Sequence, residues 1–226
     1  MKRVLLIIWI LCLPLFARPD ASQRLSDVEV KTLFTPSFTK QHKIVFDVYR
    51  SYRYKDTLGE HYLVLTEHSY VNQDDETNYD KIRAYSFLVT KGTWTLEWQM
   101  KDFMNTKVEE YSIWFWSRYI RLDDLDGDGV VDPILVYGTS GMNFFEDGRM
   151  KILIYKNNKK VAIRHQNSLS DFGRHTQVDE YFYKFEDTLQ SYVKKIMKEM
   201  LSNDHVLFSH GWQESMGKGK LKFLKR

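Results

Sequence analysis

Residues 124–132, DLDGDGVVD, set aspartates on alternate positions of a short glycine-bearing stretch. Numbered from Asp124, carboxylates fall at positions 1, 3, 5 and 9 (Asp124, Asp126, Asp128 and Asp132), with Gly129 at 6 and Val130 at 7. Alternate residues of a tight loop aim at a common centre, and calcium takes roughly six to eight oxygens at ~2.3–2.6 Å. Gly129 allows a turn sharp enough for the Val130 carbonyl to become a ligand, and Asp132 binds directly or through water. Without a cation these four carboxylates repel one another. Magnesium fits less well, because its small octahedral shell prefers to keep waters. The expectation is one calcium ion on Asp124, Asp126, Asp128, Val130 and Asp132; the alternative is an aspartate-rich turn without metal.

The flanks define what kind of loop this is. Position 12 is Leu135, where a helix–loop–helix calcium hand would supply a bidentate glutamate. The segments Trp114–Leu122 and Ile134–Tyr137 read as strands, and Pro133 discourages an exit helix. A strand–loop–strand site with few protein ligands implies weak affinity, on the order of 10⁻⁴–10⁻³ M. Such a site suits a structural staple better than a sensor.

The elements that must position this loop are mostly strands. In KIVFDVYRSYRY (43–54), Ile44, Phe46 and Val48 alternate with Asp47 and Tyr49, the period-2 pattern of a half-buried strand. HYLVLTEHSY (61–70) follows the turn signal Leu58-Gly59, and the acidic stretch 71–80 reads as a solvated loop. IRAYSFLVT (82–90) and TWTLEWQMKDF (93–103) flank Lys91-Gly92, while MKILIYKN (150–157) and KKVAIRHQ (159–166) flank Asn157-Asn158. The chain therefore reads as mainly β (α+β): an antiparallel meander of about eight strands, with one C-terminal amphipathic helix packed on the sheet. Apolar residues at Val178, Tyr181, Phe182, Phe185, Leu189, Tyr192, Val193, Ile196 and Met200 predict that helix over 178–201. Thr176 and Asp179 resemble its capping box. Residues 22–41 read as an N-terminal arm, 42–212 as the β-rich domain, and 213–226 as a solvated basic tail.

Lys2 and Arg3 precede an apolar run from Val4 to Phe16, the pattern of a secretory signal peptide ending near 17 or 21. The run is shorter than the ~20 residues needed to span a bilayer, so no transmembrane segment is expected after its removal. Cys12, the one cysteine, lies inside it. An exported remainder without disulfides needs another source of stability, and a metal site is one. The formal charge of +3 falls by two with the leader and gives no reason to propose a nucleic-acid partner.

Catalytic signals are weak. The seven histidines show no zinc spacing, and His205 and His210 near Asp204 read as a polar loop. Glu109 and Glu110 are glycosidase-type carboxylates by residue type, yet adjacent strand residues point to opposite faces. The 14 Phe, 14 Tyr and 6 Trp suggest binding instead. Trp114 and Trp116, and likewise Trp94 and Trp98, lie two apart and so share a strand face, making them candidate contacts for a glycan or a partner protein. The reading favoured over this one is that they fill the core between sheet and helix.

The aspartate loop resembles the calcium loops of integrin-type FG-GAP and VCBS repeats, but it occurs once, and one copy cannot form a propeller. A longer resemblance rests on the order WTLEWQMKDF, IRLDDLDGDGVVDPILVY, MKILIYKNNKKVAIR and an aromatic-rich C-terminal helix. This order is similar to a family of exported bacterial proteins labelled surface polysaccharide biosynthesis protein. Members often carry a cysteine and a Ser-Pro pair just after the loop strand; GTSGMNFFEDGR has neither, so no role for that segment is carried over. The resemblance implies a Gram-negative setting, periplasm or cell surface. The expected function is an exported, non-catalytic envelope or surface protein with one structural calcium ion and a link to surface polysaccharide. The rival is an accessory enzyme of polysaccharide metabolism with catalytic residues elsewhere.

Overall fold

The computed structural model describes residues 22–72 and 74–224. The expected signal peptide, with Cys12, lies outside them. Among the described residues no helix is long and apolar enough to cross a membrane. The chain is mainly β, and its strands form two consecutive antiparallel sheets. The first is a meander of β1 (Gln23–Arg24), β2 (Asp47–Lys55), β3 (Glu60–Val71), β4 (Thr77–Thr90) and β5 (Thr93–Phe103). The second contains β6 (Ser112–Phe115), β7 (Arg121–Asp123), β8 (Asp132–Ser140), β9 (Arg149–Lys156), β10 (Lys159–Gln166), β11 (His175–Val178) and β12 (Lys222–Leu224). Its order is β12-β11-β10-β9-β8-β6, with β7 also paired to β8.

Alternation along the strands explains why the sheets stack. Leu63, Leu65, Ile82 and Ala84 of the first sheet and Ile113, Phe115, Leu135 and Leu153 of the second bury into one shared core. The ring of Trp98 stacks on Tyr155 at 3.6 Å across it. Both outer faces are apolar too, so both need cover. Tyr62, Val64, Tyr85 and Phe87 are covered by α1 (Asp27–Leu33) and α2 (Pro36–Gln41). Ile134, Ile152, Ile154 and Ile163 are covered by α3 (Asp187–Ser202) and α4 (Trp212–Gly217). The result is a two-sheet sandwich with helices on both sides.

Several boundaries differ from expectation, each for a local reason. The N-terminal arm is structured: Ser26 and Glu29 form a capping box on α1, while Thr35 caps α2 ahead of Pro36. The C-terminal helix begins at Asp187, and its buried face is Leu189, Val193, Ile196, Met197 and Met200. Thr176 is in β11 and pairs with His165, so it caps nothing. Asp179 accepts hydrogen bonds from Ala162 N (2.9 Å) and Arg164 (2.6 Å). The basic tail is ordered as α4 and β12, because Phe223 inserts into the core beside Trp212 and Met216.

Trp116 closes the second sheet's outer core next to Gly138. A Cβ on Gly138 would lie 2.4 Å from the indole and 2.6 Å from the Arg149 carbonyl. A residue with a side chain cannot occupy that site without moving β9 or the tryptophan.

Candidate functional site

The loop between β7 and β8 folds on its own carboxylates. Asp124 accepts from Gly127 N (2.7 Å) and Gly129 N (2.9 Å). Asp126 accepts from Asp128 N, and Asp128 accepts from Val130 N at 2.8 Å. Gly127 and Gly129 both have positive φ, and a Cβ on Gly129 would press on Thr57 at 2.9 Å. Asp124, Asp126 and Asp128 each bring an oxygen within 4.8 Å of the others, and among the described residues no other group of three or more His, Cys, Asp or Glu does so.

Lys156, at the end of β9, was not anticipated from the sequence. Its Nζ pairs with Asp126 Oδ2, with Asp128 Oδ2 at 2.7 Å and with Asp132 Oδ1 at 3.3 Å. Burial disfavours the ammonium, but the surrounding carboxylates outweigh it and raise its pKa. Burial pushes Asp132 up to about 6 although Lys156 lies beside it. Three carboxylates thus face one ammonium, while Asp124 is taken up by the Gly127 and Gly129 N–H groups. The donor set is all oxygen, and the Asp126, Asp128 and Asp132 oxygens that hold the Lys156 ammonium converge on one point, a set that fits a hard divalent cation. Such an ion would displace Lys156 Nζ.

The loop also binds the opposite sheet. Thr57, in the β2–β3 turn, donates from N (3.1 Å) and Oγ1 (3.0 Å) to the Gly129 carbonyl. Asp56 accepts from Val131 N at 3.1 Å. Asp56 is part of a second cluster. Its Oδ1 lies 2.9 Å from His61 Nε2, and Glu97 Oε2 lies 3.1 Å from His61 Nδ1. Ser86 donates to Glu97 at 2.9 Å, and Tyr54 stacks flat on the imidazole. Burial alone would lower His61, but Asp56 and Glu97 reverse this and hold it up to about 9. With a carboxylate on each nitrogen, the ring is an imidazolium that donates twice.

Sequence reasoning missed this cluster. The hairpin reading around Leu58-Gly59 already brought Asp56 and His61 close, since Tyr54 pairs with His61. Glu97 joins only because β5 carries a bulge. Ser86 pairs with Trp98 and Phe87 with Leu96, leaving Glu97 as the extra residue. The bulge also corrects the expectation that Trp94 and Trp98 share a face. Trp94 packs under α1 and α2, whereas Trp98 enters the core between the sheets. Trp114 and Trp116 do lie together, 6.4 Å apart, but Trp116 is buried and Trp114 is packed on Phe144 and Phe145. None of the four offers a flat exposed platform.

The other candidates have structural partners. Glu110 is buried and accepts from Arg149 Nε (2.5 Å) and Thr139 Oγ1 (3.1 Å), while Glu109 lies exposed in a left-handed turn. His205 bonds the Tyr119 hydroxyl at 2.8 Å. The free space beside His61 is about 40 Å³. At ~10–15 Å³ of such space per water, it admits a few waters and not a sugar ring.

The fold and loop define a class: a mainly β, two-sheet protein with an aspartate loop at the seam between its sheets. No protein-family model, curated protein or solved structure matches the chain.

Proposed function

We propose that the protein is an exported, non-catalytic module of the bacterial cell envelope in which one calcium ion staples the two sheets. The ligands are Asp124, Asp126, Asp128 and Asp132 with the Val130 carbonyl. The observation that carries this reading is the convergence of Asp126, Asp128 and Asp132 oxygens on the one point now held by the Lys156 ammonium, in a loop whose Gly129 carbonyl is bonded to Thr57 in the β2–β3 turn of the other sheet. Export rests on the basic and apolar leader over 2–16 and on the absence of cysteine after it. The link to surface polysaccharide rests on the sequence resemblance. An enzymatic role is less well supported. His61 is tied at both nitrogens in a space too small for substrate, and a histidine held up to about 9 is a poor base at neutral pH.

Thermal unfolding in EDTA and in 10 mM calcium tests the staple. At a Kd on the order of 10⁻⁴–10⁻³ M, such calcium adds about 1.4–2.7 kcal/mol, or roughly 3–10 °C for a domain of this size. Asp126→Ala removes most of that rise. A wild-type midpoint that ignores calcium would overturn the proposal.

A further inference from the structure

The outer face of the first sheet carries two cations that no ion pair among the described residues neutralises. Arg83 of β4 and Lys101 of β5 are register partners, so two cations stand directly opposite each other. Like charges so placed destabilise a sheet. Among the described residues, no carboxylate pairs with either. Lys81, two residues along, is neutralised by Asp80 at 2.7 Å. Asp102 borders the same groove, but its carboxylate is held by Arg149 and Lys151. Aromatic rings flank the cations. Phe46 holds a left-handed backbone conformation (φ 69°) and sets its ring 5.6 Å from the Arg83 guanidinium. That conformation is strained for a bulky residue, and such outliers gather at functional sites. Phe103, opposite Lys81, is 63% exposed. The groove between these residues holds about 270 Å³ and adjoins a second hollow of about 260 Å³ that shares Arg83 and Lys101 and reaches Gln99.

We propose that this groove binds an acidic saccharide, with the acid group on Arg83 and Lys101 and the C–H face of the sugar ring against Phe46 and Phe103. An arginine fork matches a carboxylate in two bonds, and lysine adds a point charge. Gln99 supplies a donor and an acceptor for hydroxyls. Two unneutralised cations are too few for a nucleic-acid backbone, whose binders make ~6–10 phosphate contacts. One exposed phenylalanine is too little to anchor a lipid surface. The proposal deepens the envelope role above and rests on that reading for its setting, but not on calcium.

Titration calorimetry at low salt, with glucuronate, glucose, inorganic phosphate and phosphatidylglycerol vesicles, tests it. Glucuronate binds saturably, and glucose at least tenfold more weakly. The double variant Arg83→Gln/Lys101→Gln loses tenfold or more in glucuronate affinity, yet melts no lower than wild type because the repulsion is gone. Asp126→Ala keeps glucuronate binding, which separates this site from the calcium loop. Binding retained in the double variant, phosphate bound as tightly as glucuronate, or attachment to vesicles alone would each overturn it.

Discussion

At the scale of single residues, Lys156 decides how the aspartate loop behaves. The lysine serves as a built-in cation for Asp126, Asp128 and Asp132, so the loop keeps its shape before any metal arrives. On the proposal above, calcium would have to displace an ammonium as well as shed water. Lys156→Met separates the two roles. Without calcium the variant loses about 3 kcal/mol, the low end for breaking a buried pair, because the side chains of Lys156, Asp126 and Asp132 are largely buried and only Asp128 is exposed, at 42%. With calcium the loss is recovered, and affinity rises about tenfold or more because nothing has to be displaced. Terbium luminescence with calcium competition measures the affinity, and urea unfolding measures the loss. Equal calcium affinity in both proteins would show that Lys156 does not compete. No residue pattern in the sequence advertised this lysine, which ends a strand 24 residues beyond Asp132 and reaches the loop only through the β8–β9 pairing.

At the scale of elements, turn chemistry carried the hairpins, and irregularities hid the rest. The turn signals Lys91-Gly92 and Asn157-Asn158 mark the β4–β5 and β9–β10 hairpins, but alternation over 44–48 misplaces a strand: β2 begins at Asp47 and Phe46 is left-handed. β3 shows no alternation over 61–67, because both of its faces meet a core. What alternation cannot reveal is a residue added inside a strand. The extra Glu97 in β5 turns Trp98 away from the face of Trp94 and brings Glu97 to His61. The C-terminal helix was overextended for a related reason. Val178, Phe182 and Phe185 fit a helical stripe by spacing, yet β11 pairs with β10 and a 3-10 turn over 180–184 carries the aromatics into the same core. The tail held a readable signal, since Leu221 and Phe223 alternate with lysines, but its glycines and charge suggested solvent. Gly138 shows how closely these elements fit. Gly138→Ala drives a methyl into the Trp116 ring and the Arg149 carbonyl, so a loss of about 1–3 kcal/mol in urea unfolding is expected, with Trp116 fluorescence shifted. A variant as stable as wild type would mean that β8 and β9 can part freely.

At the scale of the whole molecule, the sheets are pinned near the aspartate loop and at a separate ionic cluster, and these sites titrate at opposite ends of the pH range. At one, Asp102 of the first sheet meets Arg149 (3.1 Å) and Lys151 (2.6 Å) of the second and accepts from the Tyr137 hydroxyl at 2.8 Å. Burial alone would raise Asp102, but Arg149 and Lys151 outweigh it and hold the carboxyl down to about 2. A depressed carboxyl stabilises the fold above its unfolded value of ~3.9, and that contribution falls away as pH drops through about 2. At the other, His61 holds Asp56 in place against Val131 and is itself held up to about 9. A raised histidine contributes fully below its unfolded value of ~6.5, and the contribution is lost as pH climbs through about 9. Urea midpoints measured from pH 2 to 10 in EDTA should therefore carry both losses. Asp132, raised to about 6, and Glu67, raised to about 7, add slopes between them, so each loss is read as a difference between variant and wild type. Against wild type, Asp102→Asn lowers the midpoint above about pH 4 and by less as pH falls toward 2, leaving the alkaline limb intact. Glu97→Gln removes one of the two carboxylates on His61, so its alkaline limb begins at lower pH while the acid limb is unchanged. An alkaline limb in Glu97→Gln identical to that of wild type would refute His61 as the titrating clamp, and the loss above neutrality would then belong to other groups.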